Sequence, residues 1–253
     1  MKVCLAQSRS ELGKLAARDI GVALRSGLHE KSSLRMILAA APSQSEMLAA
    51  LACEPGIDWH RVTAFHMDEY VDLPEDAPQR FGAWLERAFF DHVRLAKAHL
   101  IKPGTDPEAS CRAYASMLAE APIDVVLLGV GINGHLAFND PPADLNDSLA
   151  VKVVELDQMC REQQILDGCF ANLDDVPKRA ITLTVPTLLA GRELFCCVPG
   201  LHKNAAVKAM MEAPISGACP ATALRKHPRC TVYLDPESSS LSEFHEHSKH
   251  HRA

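Results

Sequence analysis

The chain has 253 residues, 47% of them hydrophobic and 23% charged, enough to bury one large α/β core. Its net charge of −6 excludes the basic face that nucleic acid requires, so an anionic ligand must be met by local positive charge or backbone donors. No apolar run approaches the roughly 20 residues that span a bilayer, and MKVCLAQSRSELGK turns polar too early for a secretory signal, so a cytoplasmic protein without a membrane partner is expected.

Residues 7–27 read as an amphipathic helix, with Leu12, Leu15, Ala16, Ile20 and Leu24 on one face. Met36–Ala41 is a short continuous apolar run of the kind buried on both faces of a sheet. A turn at Pro42–Ser45 and a helix to about Cys53 follow, then a second strand at Val62–Met67. Residues 79–93 align Phe81, Leu85, Phe89 and Val93 on a helical face. Another helix is expected from Asp106 to Glu120, with Asp106 as cap and Pro107 in the first position. Ile123–Val130 is the clearest buried strand, and it runs into the glycine-rich GVGINGH. Further strands are expected at 151–155, 180–185, 194–198 and 230–234, with a helix at about 202–212. Residues 156–178 show no firm periodicity and suit a mobile flap.

Strands alternating with helices imply an α/β fold with a mostly parallel sheet covered on both faces. We expect one domain over residues 1–237 and a solvated, His-rich tail over 238–253, containing His245, His247, His250 and His251. The 9 cysteines include no C-x-x-C pair and read as free thiols of a reducing compartment rather than as disulfides or metal ligands. Neither a metal nor an organic cofactor is called for. The sequence leaves open whether the chain forms a homo-oligomer.

In open parallel sheets, ligands bind beyond the carboxyl ends of the strands, and three such ends are polar here. The first is Ala41-Pro42-Ser43-Gln44-Ser45, where a helix start offers backbone donors and two hydroxyls to an anion; a plain helix cap is the competing reading. The second is His66-Met67-Asp68-Glu69-Tyr70. Adjacent residues at a strand end point in different directions, so one acid faces the crevice while the other caps or pairs, and both are candidates. A solvated acidic loop is the alternative, since Asp72, Glu75 and Asp76 follow. The third is GINGHLAFNDPP, residues 131–142, in which His135 lies between Asn133 and Asp140, two groups able to orient its ring. Gly129, Gly131 and Gly134 formally match G-x-G-x-x-G, but HLAFNDPP follows where a helix should open, which argues against a dinucleotide; no nucleotide P-loop is present.

FHMDEYVDLP, GVGINGHLAFNDPP, VPKRAITLTVPTLLAGRE and PGLHKNAAVKAMMEA, in this order, resemble the glucosamine-6-phosphate deaminase family, which shares a Rossmann-like superfamily with 6-phosphogluconolactonase. The resemblance covers roughly residues 36–235. It implies aldose–ketose isomerisation and deamination of an amino-sugar phosphate, a small-molecule partner. Asp68 would be the proton-transfer base and His135 the ring-opening catalyst, flanked by Asn133 and Asp140. The resemblance places substrate contacts at Ser43, Gln44, Ser45 and Lys203, and we add Glu69 and Gly134. Departures accompany it. Ser43-Gln44-Ser45 replaces the family's usual Gly-Gly-Thr, Asn133 and Asp140 replace an Asp and a Glu, and the flap lacks a phosphate-contacting arginine, with Asp167 near that place. Arg161, with Gln163 and Gln164, is expected to compensate. A lactone hydrolase and a non-catalytic sugar-phosphate sensor are the alternatives on the same fold.

Overall fold

The structure is a computed structural model and describes residues 1–240. The chain opens with strand β1 (Lys2–Leu5) and the 22-residue helix α1 (Arg9–Glu30). The Ser8 side chain accepts from the Glu11 backbone N–H to cap α1, which buries Leu12, Ala16, Ile20 and Leu24. Then come β2 (Leu34–Leu38), α2 (Ser45–Ala52), β3 (Val62–His66), β4 (Asp68–Tyr70), α3 (Phe81–Ala88), β5 (Lys97–His99) and α4 (Pro107–Ala119). The second half holds β6 (Val125–Leu128), β7 (Val151–Glu155), α5 (Gln158–Leu166), β8 (Arg179–Leu183), α6 (Val185–Leu189), β9 (Glu193–Val198), α7 (Asn204–Glu212) and β10 (Cys230–Leu234).

Seven strands form one parallel sheet in the order β1-β10-β9-β6-β2-β3-β5. Alternate residues of each strand supply opposite faces. Leu34, Met36 and Leu38 of β2 join α1, α2 and α3 in one apolar cluster, whereas Ile37 joins α4, α6 and α7 in the other. Helices therefore cover both faces, as expected. The direction of winding reverses between β2 and β6, since β2 leads outward to β3 while β6 leads the other way to β9. That reversal is a topological switch point, where the loops after adjacent strands part and leave a crevice.

Several expected bounds shift. The first buried strand ends at Leu38, because only Leu34–Leu38 pairs with β3 and Met36–Leu38 with β6; Ala39–Ala41 run on into the crevice. The expected helix over 79–93 ends at Ala88, and a short 3-10 turn, Phe90–His92, replaces its last part. A second, antiparallel sheet of β4-β8-β7 was not anticipated. Its strand β4 begins two residues after β3 ends, so the chain changes sheets at Met67. The expected flap contains helix α5, capped by Asp157, whose side chain accepts from the Cys160 N–H. At the expected start of the tail, Ser238 and Ser239 are buried and hydrogen-bonded to Asp235; His245, His247, His250 and His251 lie outside the described residues.

Candidate active site

The crevice at the switch point is a cleft whose wall includes Ser43, Gln44, Asp68, Gly129, Gly131, His135, Gln163, Gln164, Asp167 and Lys203. All three strand ends singled out in the sequence reach it, and the loop after β9 supplies a fourth.

Asp68 stands where the chain leaves one sheet for the other, which fixes its backbone on both sides. Its side chain enters the cleft, and no hydrogen bond from the described residues reaches its carboxyl. Burial, followed by the neighbouring Glu69 charge, raises the Asp68 carboxyl well above the usual carboxylate range. Alternation along β4 sends Glu69 the other way. Its carboxylate accepts the N–H groups of Tyr70, Phe81 and Gly82, pinning the start of α3, and approaches His66 and Arg80. Glu69 is thus a cap, and its assignment as a substrate contact is corrected.

The loop after β6 presents His135 through left-handed backbone at Gly134 (φ +83°) and Ala137 (φ +50°). The imidazole lies directly over Gly131, where a Cβ would sit 2.1 Å from Nε2, so only glycine leaves the ring its place. His135 Nδ1 is 3.0 Å from Asp140 Oδ1. Burial pushes the Asp140 carboxyl up, but the hydrogen bond and charge of His135, with donors from Asn133 and the Asp157 N–H, outweigh it and hold the carboxyl below its ordinary value. An ionised Asp140 can only accept, so Nδ1 carries the proton and Nε2 is left for chemistry. Asn133 accepts from the His135 N–H at 3.0 Å, and its Nδ2 donates to Asp140 at 3.0 Å and Asp157 at 3.2 Å. Asn133 and Asp140 therefore stand behind the histidine rather than in the cleft wall. Gly134 is likewise a turn residue packed on Cys219, not a ligand contact.

On the opposite side, Ser43 and Gln44 line the cleft, whereas Ser45 opens α2 and does not. Neither serine side chain caps that helix. Gln44 Nε2 donates to the Cys197 carbonyl and to Ser43 Oγ, each at 3.1 Å. Lys203 is reached through Gly200 (φ +97°), whose N–H donates to the buried Asp235 carboxylate. Burial lowers the Lys203 ammonium to about 8, with Asp167 and Cys160 acting in the opposite direction. Arg161 is the remaining correction. Its guanidinium donates to the carbonyls of Leu173 and Val176, tying down the segment after α5, and does not reach the cleft.

Asp157, Phe81 and Phe138 were not foreseen. Asp157 joins the histidine loop to α5, and the two aromatic rings form cleft wall. Nothing local marks these roles, since Asp157 reads as a helix cap and the phenylalanines as core. His135, Asp140 and Cys160 bring three potential metal-ligand atoms within 4.8 Å of one another. Burial first, then Asp140 and Asp157, raises the Cys160 thiol far beyond its ordinary value, so it stays protonated next to the histidine–aspartate pair.

A doubly wound α/β sheet whose switch point holds an oriented histidine, a raised carboxyl and a buried lysine defines a Rossmann-like enzyme built for moving protons on a small polar substrate. The model of the glucosamine-6-phosphate isomerases/6-phosphogluconolactonase family matches residues 7–233. Glucosamine-6-phosphate deaminases of Bacillus thuringiensis (strain Al Hakam) and Bacillus cereus (strain AH820) are each 33% identical over 186 residues, 73% of this chain and 70% of theirs. Among solved structures, a monomeric glucosamine-6-phosphate deaminase matches with a TM-score of 0.88 at 29% identity, covering 95% of this chain and 100% of that one. A 6-phosphogluconolactonase from Thermotoga maritima matches at 0.74 with 19% identity, covering 92% and 98%, which shows a shared fold. The chain belongs to the glucosamine-6-phosphate isomerase/6-phosphogluconolactonase family. Among the described residues no helix is long and apolar enough to cross a membrane.

Proposed function

We propose that the enzyme isomerises and deaminates an amino-sugar phosphate, converting glucosamine 6-phosphate and water to fructose 6-phosphate and ammonia. The observation that carries this reading is the convergence of Asp68 and His135, from separate strand ends, on one cleft that also holds Lys203. His135 opens the sugar ring, its free Nε2 passing a proton between O1 and the ring oxygen. Asp68 then takes the proton from C2 and returns it to C1, while a proton from the C2 amine passes to O1 and leaves a C1 hydroxyl. The C2 amine becomes an imine, which water hydrolyses to the ketone with release of ammonia. One group must both accept and return a proton, and a carboxyl raised well above the usual carboxylate range by burial suits both halves of that task.

A lactone hydrolase needs a base for water, which His135 alone supplies, and leaves a buried Asp68 without a task. The isomerase reading uses both groups. Ammonia and fructose 6-phosphate formed together from glucosamine 6-phosphate is the expected result. Acid release from 6-phosphogluconolactone without ammonia release would favour the hydrolase, and binding without turnover of either would favour a sensor.

A further inference from the structure

The Lys203 end of the cleft has an unusual charge inventory for a phosphate site. Among the described residues lining the cleft, Lys203 is the one lysine or arginine; two acids, Asp68 and Asp167, share the lining, and Asp167 is the one whose charge acts on Lys203. Even with Asp68 neutral, Lys203 and Asp167 cancel. Counting charged side chains alone, a phosphate dianion would meet one attraction and one repulsion, both strengthened by burial.

Asp167 is held in place deliberately. It is the C-cap residue of α5, at the carbonyl end of the helix, where a negative charge is disfavoured. The helix therefore does not account for it. Its Oδ2 accepts from Gln163 Nε2 at 3.1 Å, and Gln163 Oε1 accepts the Ile132 N–H at 2.9 Å, so the histidine loop positions the acid through one amide. The Asp167 side chain is only 14% exposed, and at 3.9 Å His202 is too far to hydrogen-bond it.

The hydrogen-bonding character of the wall agrees. The Cys197 carbonyl can only accept, so it fixes the Gln44 amide with nitrogen toward it and leaves Oε1 buried without a partner. Gln164 is buried, and its amide bonds nothing among the described residues; the same holds for the Lys203 ammonium. A phosphate dianion offers acceptors alone and leaves Asp167 and Gln44 Oε1 unanswered. A hydroxyl both donates and accepts, and satisfies Asp167 and Lys203 together.

We propose that Asp167 is a specificity-determining residue that tunes the Lys203 end of the cleft to a sugar terminus able to donate hydrogen bonds, so that unphosphorylated 2-amino sugars are substrates alongside their phosphates. This rests on the amino-sugar reading of the same cleft. The test compares wild type with Asp167→Asn, which removes the charge and keeps the Gln163 bond. Ammonia release is measured from glucosamine and from glucosamine 6-phosphate, and binding of 2-amino-2-deoxyglucitol and its 6-phosphate, open-chain analogues that cannot turn over, is followed by calorimetry. Wild type is expected to turn over both sugars, and the variant to raise the phosphate-to-free preference about tenfold, in KM and Kd rather than kcat, as loss of a like charge requires. A wild type that deaminates only the phosphate, or a preference that rises less than about threefold or falls in the variant, overturns the assignment. If neither sugar yields ammonia while the analogues' binding preference shifts as stated, the deaminase reading fails and the role of Asp167 stands; an unshifted preference in that case overturns both.

Discussion

Asp68 is the first residue of a three-residue strand, and that position makes its carboxyl costly to ionise. No hydrogen bond from the described residues compensates its charge, and Glu69 lies next to it in the chain. The folded carboxyl holds its proton more tightly than the unfolded one, so the stability this lends is complete below the unfolded value near 3.8 and is lost as pH rises toward the folded value. At neutral pH the group is therefore a net cost to the fold, a cost that the proposed proton-shuttle role accounts for. Asp68→Asn keeps the shape and removes the proton chemistry. We expect ammonia release to fall by roughly 10² to 10⁴, with binding of a non-reactive sugar phosphate nearly unchanged. The thermal midpoint at pH 7 should stay level or rise. Retained turnover in this variant would remove Asp68 from the mechanism.

At the scale of elements, helix α5 and the loop after β6 behave as one unit. Asp157 caps α5 with one oxygen and receives the Asn133 amide on the other, while Gln163, six residues later, holds the Ile132 N–H. The sequence marked β2, β3, β6 and the loops that follow them, because continuous apolar runs ending in glycine, proline and hydroxyl residues are legible without tertiary context. It also placed Asp68 and His135 in the segments that follow β3 and β6. It could not show that Glu69 turns inward as a cap, because β4 was invisible as a strand: DEY becomes one only by pairing with β8, more than a hundred residues away. Arg161 failed for a related reason, since its carbonyl partners at Leu173 and Val176 are set by how the chain returns after α5. Asp157→Ala tests the coupling. Loss of a helix cap costs about 1 kcal/mol locally, so amide exchange over residues 158–166 should accelerate. KM should rise several-fold, because Gln163, Gln164 and Asp167 ride on this helix end. Faster exchange with an unaltered KM would show that α5 does not order the cleft.

For the molecule as a whole, the cleft is a place where stability is given up for binding. The core helices are anchored by fully buried residues such as Ile20 and Leu24, whereas Lys203 occupies a nearly water-free position without an ion pair among the described residues. Burial lowers its ammonium to about 8, below the ordinary lysine value of 10.5. Below pH 8 both folded and unfolded chains carry the proton, and the fold bears the full cost of burying it. Between about pH 8 and 10.5 the unfolded chain binds more protons than the folded one, so this group's contribution makes stability rise with pH. On the proposed role of Lys203, substrate binding runs in the opposite direction, because the proton that burdens the fold is then the one that attracts the substrate's polar end. With glucosamine 6-phosphate, whose phosphate is fully ionised well before pH 8, kcat/KM should therefore decline as pH rises through about 8. Lys203→Met should raise stability at pH 7 by roughly 1–3 kcal/mol, measured by denaturant unfolding, and raise KM sharply. The stability gain should shrink as pH approaches 10, where the wild-type lysine is already neutral in the fold. A gain that stays constant from pH 7 to 10 would mean that packing of the wholly apolar methionine side chain, and not relief of a buried charge, is its source.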